Sequence, residues 1–218
     1  MQAELALSRR VHLVILLLTA MTSTFEALKV VIVPGNGCSS NIRGCNWYGW
    51  MQDRLSERPD LFSSVALTVM PDPFEAKQSI WVPYILNELG ANSRTIVIGH
   101  SSGAEACMRL MEHHQIFGAV LVSACHTDLG SESEAISGYY NHPWKWEQQK
   151  ANVGEFGILQ FHSSDDPFIP ISEADYVADQ LGTDYCKFSD RSHFFDAESV
   201  QDVFDAIVHR VESCRAKK

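Results

Sequence analysis

The segment Gly99-His100-Ser101-Ser102-Gly103 has the residue types and spacing of a nucleophilic site. It follows an apolar run and precedes a segment in which Cys107, Leu110 and Met111 recur at helical spacing. G-x-S-x-G between a strand and a helix marks a sharp turn that lifts the serine above a sheet. Glycines on both sides remove side-chain bulk at that turn. The helix start supplies free N–H groups and the positive end of a dipole. Ser101 is the candidate nucleophile, and the Ser102 N–H is a candidate oxyanion donor. The bland alternative is a small-residue βα turn without chemistry.

A serine nucleophile needs a base, and the base needs an orienting acid. In this setting the chain order is serine, acid, histidine. Asp165 and Asp166 follow a late apolar run, and Asp166-Pro-Phe-Ile-Pro170 fixes a turn that favours Asp166 as the acid. Adjacent aspartates also cap turns, which leaves a structural role for one of them. His193 is the one histidine in the loop after the last expected strand and is the candidate base. His100 lies beside the elbow and is expected to shape the pocket. A second oxyanion donor is expected in the loop Pro34-Gly35-Asn36-Gly37, from the N–H of Asn36 or Gly37. Trp47, Trp144 and Trp146 are candidate walls of a substrate pocket, with core packing as the alternative for each.

These residues need a sheet to carry them. Short β-branched runs over 29–33, 65–69, 94–98, 119–122, 158–161 and 185–188 alternate with segments of helical period. Apolar runs of this kind suit a sheet buried on both faces, and the alternation suits parallel βαβ units. The expectation is one α/β domain with roughly six mainly parallel strands and helices on both faces. Helices are expected around Trp50, Met51 and Leu55, up to Leu89 with a bend or start near Pro83, after Ser102, from an N-cap at Ser172, and near the C-terminus.

The chain has 218 residues, 45% hydrophobic and 20% charged, with a net charge of −10. That composition excludes disordered and collagen-like classes. The acidic balance argues against nucleic-acid binding. Residues 1–27 form a hydrophobic leader: Arg9-Arg10, an apolar run over 11–20, then Thr22, Ser23 and Thr24. The run is too short for a stable membrane span. It reads as a signal peptide or as an upstream extension, with Met21 as an internal start. The first implies the secretory pathway and the second a cytoplasmic protein; residues 28–218 are the catalytic domain in both. Six cysteines permit disulfides, and Cys38 with Cys45 could close a short loop. Cys107 and Cys125 read as buried apolar residues. No C-x-x-C pair suggests zinc.

Together, VIVPGNG (31–37), WYGW (47–50), MPDP (70–73), SIW (79–81), IGHSSGA (98–104), the PW-W pattern ending at Trp146, DDPF (165–168) and the late histidine resemble the small serine hydrolases typified by retinoblastoma-binding protein 9. The resemblance runs from about Lys29 to the end. It implies an α/β-hydrolase fold, a triad of Ser101, Asp166 and His193, and no metal or organic cofactor. The expected reaction is hydrolysis of a small ester, thioester or amide, and a monomer is the default. The chain departs from that family in the loop after Gly37. It also lacks the L-x-C-x-E motif, so binding to the retinoblastoma protein is not expected. A catalytically silent interaction protein on the same fold and an acyltransferase using the same triad are the alternatives.

Overall fold

The computed structural model describes residues 25–217, so the leader lies, through residue 24, outside the described residues. Among the described residues there are six strands: β1 (Leu28–Val33), β2 (Phe62–Ala66), β3 (Thr95–His100), β4 (Ile116–Val122), β5 (Val153–Ser163) and β6 (Asp184–Phe188). They form one all-parallel sheet in the order β2-β1-β3-β4-β5-β6. Among the described residues there are seven α-helices: α1 (Tyr48–Ser56), α2 (Gln78–Asn87), α3 (Ser102–Met111), α4 (Glu132–Ser137), α5 (Trp146–Ala151), α6 (Ile171–Leu181) and α7 (Gln201–Ala216). None is long and apolar enough to cross a membrane.

Alternation along the central strands sends neighbouring residues into two cores. Val30, Ile32, Ile96, Ile98, Val120 and Val122 join the cluster containing Met51, Leu55, Val203 and Ile207 of α1 and α7. Val31, Val33, Val97, Ala119 and Leu121 join the opposite cluster with Trp81, Ile85, Leu110 and Val177 of α2, α3 and α6. Every residue of β3 and β4 is buried, as a sheet covered on both faces requires.

Three elements differ from expectation. β2 lies at Phe62–Ala66 rather than 65–69, because its register begins with Leu28 opposite Phe62. Leu67 and Val69 pack on the core from outside the ladder. Ser172 does not cap α6; Pro170 precedes the helix, and no side chain caps its first turn. Pro83 lies inside α2, which starts at Gln78. Cys38 and Cys45 are joined by a disulfide, while Cys107 and Cys125 are buried and free.

The insertion carrying α4 and α5 is anchored by one buried cation. Arg109 of α3 pairs with Glu112 at 2.6 Å and donates to the carbonyls of Tyr139, His142 and Pro143. The Trp144 ring lies 3.7 Å from its guanidinium carbon. Removing one member of such a pair leaves a charge buried without compensation. Arg109→Met should therefore destabilise the protein by about 3–5 kcal/mol in urea unfolding. Adding Glu112→Gln should recover part of the loss.

Candidate active site

The chain leaves β1 toward β2 on one side and returns at β3 on the other, which opens a crevice beyond the carboxyl ends of β1 and β3. Ser101 sits there at the turn from β3 into α3, with φ 53° and ψ −125°. A non-glycine residue in this region costs about 1–3 kcal/mol, so the surroundings must enforce the turn. Hydrogen bonds from Ser101 N–H to the Val122 carbonyl (2.9 Å) and from Ala104 N–H to the Ser101 carbonyl (2.6 Å) do so. A Cβ on Gly99 would overlap the Gly103 backbone, and one on Gly103 would overlap the Val33 and Pro34 carbonyls. Both glycines are sterically required.

A cavity of about 550 Å³ opens at this point, and Gly35, Asn36, Ser101, Phe168, His193 and Phe195 are among its lining residues. His193 Nδ1 lies 2.7 Å from Asp166 Oδ2, and the Asp166 side chain is fully buried. The other Asp166 oxygen accepts N–H bonds from Phe168 (2.9 Å) and Ile169 (3.0 Å). Burial raises the Asp166 pKa, but the His193 bond and these amides outweigh it and hold the carboxyl below its ordinary value. Asp165 is exposed and accepts from Ser163 Oγ and from Ser192 N–H (2.9 Å), which ties the loop after β5 to the loop after β6. Ser192 and Phe194, on either side of His193, both have positive φ.

The two candidate oxyanion residues of the first loop are separated by their partners. Gly37 N–H is engaged by the Pro73 carbonyl at 2.7 Å. Asn36 N–H and Ser102 N–H have no hydrogen-bond partner among the described residues.

The tryptophans do not line the cavity. Trp47 is wholly buried beside His100, with ring centroids 5.6 Å apart. Trp144 is held by Arg109 and by its own N–H bond to the His126 carbonyl (2.8 Å), and Trp146 stacks on it. The aromatic walls are Phe168 and Phe195, whose rings lie 5.1 and 5.5 Å from the His193 ring. Sequence reasoning missed both. The available signal was position: Phe168 comes two residues after Asp166, and Phe195 two residues after His193. Glu105 and Glu134 also face the cavity, and burial pushes both carboxyls up, Glu105 well above its ordinary value. Among the described residues no group of three His, Cys, Asp or Glu is placed to hold a metal ion.

A model of the serine hydrolase family matches residues 30–211. The chain is 48% identical over 170 residues to serine hydrolase RBBP9 of Rattus norvegicus, covering 78% of this chain and 89% of that protein. It is 25% identical over 192 residues to the putative hydrolase YdeN of Bacillus subtilis, covering 82% and 94%. The solved structure of the B. subtilis ydeN gene product superposes with a TM-score of 0.73 at 22% identity, over 85% of this chain and all of that one. Esterase RhEst1 from Rhodococcus sp. ECU1013 superposes with a TM-score of 0.55 at 14% identity, over 86% and 91%. The fold is that of the α/β-hydrolases.

The wholly buried His100 ring has its pKa pushed down from 6.5 to about 3, first by burial and then by the neighbouring His193. Between those two pH values the unfolded chain binds a proton that the folded chain refuses. Stability from this group is therefore complete above about pH 6.5 and falls as the pH drops toward 3, by a total of order 5 kcal/mol. Asp166, whose folded pKa is depressed, adds its own loss only below about pH 4. Glu105 and Glu134, whose carboxyls are pushed up, act in the opposite sense and gain stability as the pH falls. The His100 contribution is therefore read as a difference: in urea unfolding at pH 7, 5 and 4, wild type should lose stability relative to His100→Gln as the pH drops.

Proposed function

The chain belongs to the serine hydrolase family, and from that premise we propose that it cleaves a small ester, thioester or amide through an acyl-enzyme on Ser101. Ser101 Oγ attacks the carbonyl carbon while His193 Nε2 takes its proton. His193 then delivers that proton to the leaving group. Water repeats the sequence on the acyl-enzyme and frees the acid and Ser101. Asp166 accepts from His193 Nδ1–H, which keeps Nε2 as the basic nitrogen and stabilises the imidazolium that forms. The Ser102 and Asn36 N–H groups bind the oxyanion, each contributing about 2.7–4 kcal/mol if it matches known donors.

The observation that carries this reading is the 2.7 Å Asp166–His193 contact at the wall of the cavity that also holds Ser101. The lining supports a substrate class as well. It includes no lysine or arginine to pair with an anion, which disfavours substrates bearing a carboxylate or phosphate near the scissile bond. Phe168, Phe195 and Leu129 offer apolar surface to an acyl or leaving group. A cavity of about 550 Å³ suits a small molecule.

Hydrolysis of a p-nitrophenyl ester tests the assignment. Ser101→Ala should abolish turnover, and Asp166→Asn should lower kcat by about 10⁴-fold. Asp165→Asn keeps an acceptor oxygen for Ser192 N–H and should stay within about threefold of wild type, well under one factor of ten. Unchanged hydrolysis in Ser101→Ala would contradict the proposal, and a collapse in Asp165→Asn with an active Asp166→Asn would exchange the two aspartates.

A further inference from the structure

Tyr48 and His100 are both wholly buried, yet neither has a part in the chemistry above. The Tyr48 hydroxyl has three polar neighbours: Gly35 N–H at 2.8 Å, Asn46 Nδ2 at 3.2 Å and His100 Nδ1 at 2.6 Å. The other ring nitrogen of His100 lies 2.9 Å from the His193 carbonyl oxygen. Elimination assigns the protons. A carbonyl only accepts, so His100 Nε2 carries a hydrogen and donates to His193. A neutral ring then has a bare Nδ1, so Tyr48 donates its hydroxyl proton there. The tyrosine oxygen is left with two lone pairs, which accept from Gly35 and Asn46. The one hydrogen and two lone pairs of the Tyr48 hydroxyl and both ring nitrogens of His100 are then all used, and the bonds run in one direction from Gly35 to His193.

The geometry points to Tyr48 and His100 as a positioning bridge that sets the oxyanion loop and the general base in register with each other. Gly35 immediately precedes Asn36, whose N–H is the second oxyanion donor. The His193 carbonyl is the backbone of the base itself. One end of the hydrogen-bond chain therefore fixes the loop after β1, and the other fixes the loop after β6. The two loops lie on different strands, and β3 with its elbow stands between them. The His193 loop has positive φ on both sides of the histidine, so its backbone needs an external hold. His100 comes immediately before the nucleophile and ends β3, so the bridge is referenced to Ser101.

Two further facts agree with this role. Burial pushes the Tyr48 hydroxyl up to about 12, which keeps it a donor across the working pH range. His100 stays neutral, as a bare Nδ1 requires. Neither group reaches the reacting atoms through a hydrogen bond, so they act through the backbone positions of Asn36 and His193. Both acylation and deacylation pass through an oxyanion and use the base, so both should depend on the bridge.

This inference rests on the serine hydrolase reading, and the test separates the two. Ester hydrolysis is compared for wild type, Tyr48→Phe, His100→Leu, the double variant and His100→Gln, with folding checked by thermal melts. Each of the first two single substitutions breaks the bridge and should lower kcat about tenfold or more, with KM within about threefold. The double variant should be no slower than the worse single one, because one chain is broken once. His100→Gln retains an N–H for the His193 carbonyl and should recover most of the rate lost in His100→Leu. Full kcat in a folded Tyr48→Phe, losses that multiply in the double variant, or a rise in KM in place of the fall in kcat would overturn the bridge. Should His100→Leu not fold, Tyr48→Phe and His100→Gln decide by the same criteria. A folded wild type without turnover would instead overturn the hydrolase reading, and the bridge with it.

Discussion

Everything at the site depends on how closely the start of α3 approaches the end of β1. Gly103 lies against the Val33 and Pro34 carbonyls, and Gly99 against the Gly103 backbone, with no room for a side chain at either place. That contact forces the chain to reverse within one residue, and Ser101 takes the positive φ the reversal demands. The strained residue is thus the one whose side chain must project into the crevice. Fully buried β3 and β4 make the foundation stiff enough to hold the strain.

The remaining parts arrive from the carboxyl ends of other strands. The loop after β1 brings Gly35 and Asn36, the loop after β5 brings Asp166, and the loop after β6 brings His193. Parallel pairing places all of these ends on one side of the sheet. Loops alone are poor positioning devices, and here each is tied to a neighbour. Asp166 binds the backbone of its own turn, Asp165 binds the backbone beside His193, and Tyr48 with His100 spans from the first loop to the last. The tight hydrogen bonding around Asp166 is also what keeps a buried carboxyl ionised beside the imidazole.

Much of this was legible in the sequence because the physics is local. An apolar strand leading into Gly-His-Ser-Ser-Gly leaves few options for the backbone, and the buried strands were read close to their true places. β2 was misplaced because it is an edge strand with exposed Ser63 and Ser64, while the apolar Leu67 and Val69 beyond it pack without pairing. Trp47, Trp144 and Trp146 illustrate the harder problem. Residue type says that a large ring will be covered, but not by what, and a buried arginine claimed one of them. The Gly37 N–H is taken by the Pro73 carbonyl, 36 positions away, which nothing in the loop itself announces. The contact between Tyr48 and His100 joins positions 52 apart and leaves no local trace.

The central claim is that Ser101 is an activated nucleophile. Intact-mass analysis after treatment with a fluorophosphonate probe tests it most directly, because the reagent needs an assembled base and oxyanion site but no knowledge of the substrate. The account requires a single adduct on the wild type and none on Ser101→Ala. Well-folded wild-type protein that takes up no label, or a Ser101→Ala variant labelled as readily as the wild type, would contradict it.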